Sequence, residues 1–183
     1  PFTAIIGGAK ISGKIDVISA LFDQVDSLII GGGMAYTFIR ALGGNVGDSL
    51  VEENKLGLAK KLINDAKEKG VEMLLPCDSI NASSFSNNAT IIKSDIKNIQ
   101  KGFMGLDIGL KSIGVFKNVI CNSKTIIWNG PMGVFEMENF SEGTKKIGGF
   151  ICKATKNGAF SLVGGGDSVS ALEKFNLTQD VSY

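Results

Sequence analysis

The segment TAIIGGAKISGK, residues 3–14, joins a short apolar run to a glycine turn that carries two lysines. Counted from Gly8, it has a glycine, four further residues, Gly13 and Lys14, which is the spacing of a phosphate-binding P-loop. A P-loop continues with a serine or threonine that holds magnesium, whereas Ile15 stands at that position here. The segment therefore indicates a strand followed by a phosphate-binding turn, and it leaves open which kind of phosphate site this is.

Four other apolar runs end in a similar way, on turns that are rich in glycine or contain proline. Together with the first run they are TAIIGG (3–8), SLIIGGGM (27–34), EMLLPCD (72–78), TIIWNGPMG (125–133) and FSLVGGGDS (160–168). Because these runs are apolar throughout rather than alternating, they predict strands of a parallel sheet that helices cover on both faces. The predicted fold class is α/β, a Rossmann-like three-layer α/β/α arrangement with a mainly parallel sheet. In such folds ligands bind beyond the carboxyl ends of the strands, where these turns would meet.

Apolar residues at helical spacing predict helices between the strands. One helical face is formed by Ile18, Leu21, Phe22 and Val25, a second by Leu56, Ala59, Ile63 and Ala66, and a third by Ile147, Ile151 and Ala154. Gly70 is placed to end the second helix, and Ser141 is expected to cap the third. The polar residues 80–110 interrupt this alternation, and we expect them to form small strands and turns over the sheet.

Composition restricts the classes of function. The 183 residues are 44% hydrophobic, which is enough for the core of one domain. A net charge of +1 argues against a nucleic-acid or membrane-binding surface. The absence of histidine excludes Ser-His-Asp and Cys-His catalysis, and three widely spaced cysteines argue against zinc or a disulfide framework. No apolar run approaches the roughly 20 residues needed to span a bilayer, and no secretory leader opens the chain, so we expect a cytoplasmic protein.

Three segments offer groups that suit a phosphate ligand. In GGGDSVSALEKF (164–175) glycine amides precede a predicted helix, and Asp167 is either an N-cap or a magnesium carboxylate beside a nucleotide phosphate. Lys10 and Lys14 are either solvated surface lysines or a pair for a polyphosphate. In WNGPMGVFE (128–136) an asparagine amide ends a strand, a proline fixes the turn, and a glutamate can accept from hydroxyls.

Two nucleotide-binding alternatives fit the sequence less well. A P-loop enzyme also needs an aspartate at the end of a neighbouring apolar strand, and Asp78 could imitate it, but nothing replaces the hydroxyl that Ile15 lacks. A dinucleotide-binding fold would need a G-x-G-x-x-G turn after a strand, and none is present.

Together these stretches resemble the C-terminal, nucleotide-binding domain of the phosphoglycerate kinase family over essentially the whole chain, residues 1–183. The motifs that carry the resemblance, in the family's order, are GGAKISGKI, IIGGGMAYTF, GDSLVEE, LLPCD, FMGLDIG, WNGPMGVFE and GGGDS. The combination of WNGPMGVFE with GGGDS is the most specific. The resemblance implies that the complete protein transfers the acyl phosphate of 1,3-bisphosphoglycerate to Mg-ADP, giving 3-phosphoglycerate and ATP in glycolysis.

The resemblance also implies roles for individual residues. The adenine and ribose pocket is expected to comprise Gly8, Ala9, Gly32, Gly33, Leu50, Phe85, Gly105, Leu106 and Val134, with Glu136 on the ribose hydroxyls and Pro131 and Gly133 in the turn beside it. Lys10 is expected to stabilise the transferring phosphoryl group. Lys14 and Asn129 are expected to hold the nucleotide phosphates, and Asp167 to orient Mg²⁺. Gly165, Gly166 and Ser168 are expected to donate to phosphate, and the catalytic set is Lys10, Lys14, Gly165 and Gly166.

The sequence departs from the family pattern at Gly13, Phe103, Leu110 and Ser168, and none of these changes removes a phosphate ligand. The family also has an N-terminal domain that binds phosphoglycerate and a further glycine-rich catalytic loop, and neither lies within residues 1–183. We therefore expect an excised domain that binds ADP or ATP with Mg²⁺ but turns over little or not at all, and the resemblance to the family suggests a monomer. A P-loop-like NTPase and a non-catalytic α/β binding module remain as the alternatives.

Overall fold

The computed structural model describes all 183 residues and contains six α-helices and ten strands. The helices are α1 (Ile15–Leu21), α2 (Met34–Ala41), α3 (Leu56–Glu68), α4 (Leu110–Cys121), α5 (Glu142–Lys156) and α6 (Gly166–Lys174). The strands are β1 (Phe2–Ile6), β2 (Ser27–Ile30), β3 (Asn45–Val46), β4 (Glu72–Leu74), β5 (Asp78–Ala82), β6 (Ile91–Asp95), β7 (Asn98–Ile99), β8 (Met104–Ile108), β9 (Thr125–Asn129) and β10 (Phe160–Gly164). No helix combines the length and the apolar character needed to cross a membrane.

The five predicted apolar runs form one central sheet. Its strand order is β10-β9-β1-β2-β4, and every neighbouring pair is parallel. In register, Ile5 of β1 lies opposite Ile29 of β2 and Trp128 of β9. All five carboxyl ends therefore point to the same edge, as the sequence predicts.

Helices cover both faces of this sheet and produce the predicted three layers. Ala4 and Ile6 of β1 pack into a core with residues of α1, α2 and α3, whereas Ile5 packs into a second core with residues of α4, α5 and α6. All three side chains are fully buried, and burying an isoleucine contributes about 2 kcal/mol. Because successive strand residues point to opposite faces, a strand apolar at every position is what this arrangement requires.

Residues between β4 and α4 form the expected excursion. It contains a three-stranded antiparallel sheet in the order β6-β5-β8, and β7 pairs with β3 in a separate two-stranded ladder. Helix α4 follows the excursion and was not among the predicted helices. Its buried residues Ile113, Phe116 and Ile120 do repeat at helical spacing, so the sequence carries a signal for it.

The expected cap of α5 is wrong. Ser141 occupies the N-cap position, but its hydroxyl donates to the carbonyl of Glu138 at 2.8 Å and makes no capping bond. The carboxylate of Asp107, on β8, instead accepts from the Gly143 amide in the first turn of α5 at 2.9 Å. The helix is thus capped by a residue 36 positions earlier in the chain.

Candidate functional site

The turns after β1, β2 and β9 are in direct backbone contact at the carboxyl edge of the sheet. A Cβ atom on Gly7 would lie 2.1 Å from the carbonyl oxygen of Pro131, and one on Gly32 would lie 2.4 Å from that of Gly8. Hydrogen bonds join the same turns, including Met34 N to Gly8 O at 3.0 Å. Only glycine permits this approach, so the three turns form a single rim.

A cavity of about 680 Å³ opens beside this rim. Thirteen of the residues expected at the nucleotide site line it: Gly8, Ala9, Gly32, Gly33, Leu50, Phe85, Gly105, Leu106, Pro131, Gly133, Val134, Glu136 and Asp167. Lys10, Lys14, Asn129, Gly165, Gly166 and Ser168 are outside the lining. Apolar side chains and glycine backbone form most of the cavity wall, so the cavity suits a flat, largely apolar part of a ligand.

Sequence reasoning missed four lining residues, namely Tyr36, Met104, Met132 and Met137. The Tyr36 hydroxyl lies 2.8 Å from that of Ser79, and burial keeps the pKa of Tyr36 well above its ordinary value. A Cβ on Gly105 would lie 2.1 Å from this hydroxyl oxygen, so Tyr36 explains the glycine there. The motif MAYTF after the glycine turn was the available signal, because the first turn of that helix faces the rim.

Lys14 and Asn129 form a polar pair near one end of the cavity. The ammonium group of Lys14 donates to Oδ1 of Asn129 at 2.5 Å. A Cβ on Gly8 would lie 3.7 Å from Cε of Lys14, and one on Gly165 would lie 3.2 Å from Oδ1 of Asn129. Lys14 is therefore a partly buried member of the rim rather than a solvated surface lysine.

Lys10 is exposed, and its ammonium group makes no hydrogen bond or ion pair. Its charge contributes to the state of Glu52. Partial burial opposes ionisation of Glu52, but hydrogen bonds from Ser12 and the Ile11 amide, with the charge of Lys10, bring its pKa below the ordinary value. An ammonium group without a protein partner is available to an anion at the rim.

The first turn of α6 adjoins the same pair. The first helical hydrogen bond joins the Val169 amide to the Gly165 carbonyl at 3.1 Å, which leaves the amides of Gly166, Asp167 and Ser168 without intrahelical partners. Gly165 has φ of 88°, a conformation that favours glycine. Free amides and the positive end of the helix dipole together favour an anion.

Two side chains of this turn behave differently. Asp167 is the second residue of α6 and is exposed, and its side chain makes no hydrogen bond, so its interpretation as an N-cap is wrong. Ser168 is fully buried, and its hydroxyl accepts from the Gly130 amide at 2.7 Å. This hydroxyl fixes the turn after β9, and only the Ser168 amide remains free for an anion.

The structure does not support Asp78 as the acidic residue that a P-loop enzyme would need. Both carboxylate oxygens of Asp78 accept from amides of α4, those of Lys111 and Ser112, each at 2.9 Å. The Ser112 hydroxyl also donates to Asp78 at 2.5 Å. Asp78 therefore caps α4 and is not placed to act on a ligand at the rim.

The carboxylates of Glu136 and Asp167 both line the cavity, and Asp167 is the one that lies in the first turn of α6, beside the free amides. No group of three or more His, Cys, Asp or Glu side chains is arranged to hold a metal by itself. Mg²⁺ usually binds one or two carboxylates together with substrate phosphates and water, rather than an all-protein cage. An unpartnered Asp167 that lines the cavity fits this donor set.

Comparison with known proteins agrees with this architecture. A family model described as phosphoglycerate kinase matches residues 1–183. Over 183 residues the chain is 52% identical to the phosphoglycerate kinase of Porphyromonas gingivalis, and over 184 it is 49% identical to that of Thermosipho africanus. It spans 44% and 46% of those two proteins, less than half their length.

Solved structures give the same result. All of the chain superposes on 46% of the phosphoglycerate kinase of Coxiella burnetii, with a TM-score of 0.96 and 41% identity. The Pyrococcus horikoshii enzyme shares the fold at a TM-score of 0.72 and 24% identity, over 96% of this chain and 44% of that one. Because the family model, the Porphyromonas gingivalis relative and the Coxiella burnetii structure all match along its entire length, the chain belongs to the phosphoglycerate kinase family.

Proposed function

We propose that residues 1–183 are the nucleotide-binding, C-terminal domain of a phosphoglycerate kinase and bind ADP or ATP with Mg²⁺. One observation carries this proposal. The apolar cavity, the Lys14–Asn129 pair and the free amides of α6 meet at one rim, so a base and a polyphosphate could be held together. The full protein would transfer the acyl phosphate of 1,3-bisphosphoglycerate to Mg-ADP, giving 3-phosphoglycerate and ATP in glycolysis.

The base and sugar would bind in the cavity. Leu50, Phe85 and Val134 provide apolar contacts for adenine, and the turn of Gly32 and Gly33 lies beside them. Glu136 is exposed at the cavity wall, where its carboxylate can accept from the ribose hydroxyls.

The phosphates would bind along the rim outside the cavity. Lys14, with Asn129, would hold the nucleotide phosphates, while Lys10 would stabilise the transferring phosphoryl group. The amides of Gly166 and Ser168 and the backbone of Gly165 would donate to phosphate oxygens. Magnesium oriented by Asp167 would neutralise charge that develops on those oxygens.

No general base is needed for this chemistry. A carboxylate that attacks ATP is already ionised at pH 7, because carboxylic acids have pKa values near 4. Lysines and backbone amides can position the reactants and neutralise their charge, which agrees with a site that contains no histidine.

The rest of the reaction would need parts of the full protein outside these residues. An N-terminal domain would bind phosphoglycerate, and a further glycine-rich loop would complete the catalytic site. We propose a cytoplasmic monomer whose ligands are small molecules, with no nucleic-acid or membrane partner.

Calorimetric titration with Mg-ADP tests the binding proposal directly. We expect saturable binding of one ADP, competed by ATP, and a parallel titration with Mg-GDP measures selectivity for the base. If the chain binds no nucleotide, both nucleotide-binding interpretations fail and only the non-catalytic binding module remains. A second assay adds a separately prepared N-terminal domain and follows consumption of 1,3-bisphosphoglycerate, which we expect to be restored. Normal turnover by the chain alone would contradict the proposal that phosphoglycerate binds to a separate N-terminal domain.

A further inference from the structure

Asp107 is a buried carboxylate behind the cavity, and the chemistry proposed above does not use it. Its side chain belongs to β8 and the residue is 2% exposed. It directly follows Leu106, whose carbonyl accepts from the Val134 amide at 2.9 Å and so joins two walls of the cavity. The surroundings of Asp107 therefore bear on how those walls are held.

The two carboxylate oxygens of Asp107 have different partners. Oδ1 accepts from the Ile108 amide and Oδ2 from the Gly143 amide, both at 2.9 Å. The second bond ties β8 to the first turn of α5, which no side chain of α5 caps. A negative charge is also favourable at this positive end of the helix.

The carboxylate fills space that two glycines leave free. A Cβ on Gly133 would lie 2.4 Å from Oδ1 of Asp107, and one on Gly143 would lie 2.2 Å from the same atom. Gly133 lines the cavity. The Asp107 carboxylate therefore lies between the turn after β9 and the first turn of α5, in space that a side chain at either glycine would occupy.

The first turn of α5 in turn holds the cavity wall. The hydroxyl of Thr144 accepts from the amides of Met132 and Gly133, at 3.1 and 3.3 Å. These contacts form a continuous path from Asp107 through Gly143 and Thr144 to the wall.

We infer that Asp107 is a positioning residue for the nucleotide base, because it fixes the first turn of α5 and thereby the 131–134 wall of the cavity. The inference rests on the proposed nucleotide-binding function of that cavity. It gives a role to a residue that touches neither the cavity space nor the phosphate rim.

The ionisation of Asp107 offers a readout that separates positioning from stability alone. Burial raises the pKa of Asp107 to about 7; the amides of Gly143 and Ile108 oppose the rise, and the charge of Glu142 adds to it. The pKa of Tyr36, on α2, is raised mainly by burial and further by the charge of Asp107, so this side chain remains neutral. Protonation removes the negative charge and turns one of the two acceptor oxygens into a hydroxyl, which accepts more weakly, so the wall is held less firmly below neutral pH.

The test is calorimetric titration with adenosine, which has no group that titrates between pH 6 and 8. At pH 8 we expect Asp107→Asn to bind adenosine about three- to tenfold more weakly, the value of one lost hydrogen bond. Wild-type affinity should fall toward that of Asp107→Asn as the pH approaches 6, whereas the variant should show little dependence on pH. Asp65→Asn, a carboxyl change on α3 away from the cavity, should behave as wild type.

Equal adenosine affinity of wild type and Asp107→Asn at every pH overturns the inference. If circular dichroism shows that Asp107→Asn is unfolded, Thr144→Val replaces it, because this variant removes the acceptor of Met132 and Gly133 but keeps the side-chain shape. Thr144→Val should bind about threefold more weakly or worse, and unchanged affinity again overturns the inference. Failure of the wild-type chain to bind adenosine or ADP would instead refute the proposed function, and this inference with it.

Discussion

Replacing Gly32 with alanine should damage both the fold and the cavity, and Gly43 supplies a matched control. Both glycines have positive φ, 71° for Gly32 and 87° for Gly43, and an added Cβ costs about 1–2 kcal/mol in that conformation. At Gly43 the Cβ would meet nothing within 4 Å. At Gly32 it would lie 2.4 and 2.5 Å from the backbone O and N of Gly8.

The magnitude follows from this difference. Forcing extra atoms into a packed interior costs a further 1–3 kcal/mol, so Gly32→Ala should lower the free energy of unfolding by about 2–5 kcal/mol. Gly43→Ala should lower it by only about 1–2 kcal/mol. Because Gly8 lines the cavity and must move, Gly32→Ala should also weaken ADP binding by about tenfold or more, the equivalent of about 1.4 kcal/mol, whereas Gly43→Ala should not.

Urea unfolding followed by circular dichroism measures the stability of both variants, and calorimetry at a temperature where both are folded measures ADP affinity. The steric reasoning fails if the two variants lose the same free energy of unfolding. The link to the site fails if Gly32→Ala binds ADP as tightly as Gly43→Ala does.

Three further predictions concern other parts of the molecule. Lys14→Ala should weaken ADP binding about tenfold or more, measured by calorimetry, because it removes a charged partner of the phosphates. The affinity for adenosine, which has no phosphate, should not change. The control Lys60→Ala, an exposed lysine on α3, should change neither affinity. Leu110→Pro should raise the free energy of unfolding, measured in urea, by about 0.4–1 kcal/mol. Residue 110 is the first of α4, its amide has no partner, and the backbone before it is extended, so proline fits there. The control Lys111→Pro should instead destabilise the chain, because it removes an amide that donates to Asp78. Burial raises the pKa of Asp107 to about 7, against 3.8 in the unfolded chain. The folded state therefore holds this proton more tightly, and the resulting stabilisation is complete below about pH 4 and is lost as the pH rises toward 7. Its size is on the order of 4 kcal/mol. Urea unfolding of wild type minus Asp107→Asn isolates that trend from other carboxylates, and a difference that does not change with pH would contradict it.

The central sheet could be predicted from the sequence because its signal is local. Each strand is a continuous apolar run that ends on a turn, and burial of both faces leaves no other pattern possible. Helix α4 was missed although its apolar spacing is regular. Its start depends on Asp78, more than 30 residues earlier in the chain, and no nearby residue marks the cap.

Within the site, the backbone contacts of the glycine turns were more predictable than the roles of individual hydroxyls and carboxylates. The glycines of the rim are visible as motifs, and they do line or border the cavity. The partner of the Ser168 hydroxyl is 38 residues away, and the Gly143 amide that donates to the Asp107 carboxylate is 36 residues away. Such pairings arise only when the chain has folded, so residue type and spacing could not reveal them. The expected ligand contacts of Lys10, Lys14, Asn129 and Asp167 stay predictions.

The chain's only tryptophan provides it with a built-in optical probe. Trp128 is 1% exposed, its indole N–H donates to the Gly130 carbonyl at 2.8 Å, and it immediately precedes Asn129. Any movement of that turn would alter the electrostatic environment of the indole, and with it the emission wavelength or intensity. Events at the phosphate rim could therefore be followed in real time, by stopped-flow fluorescence of the unlabelled protein.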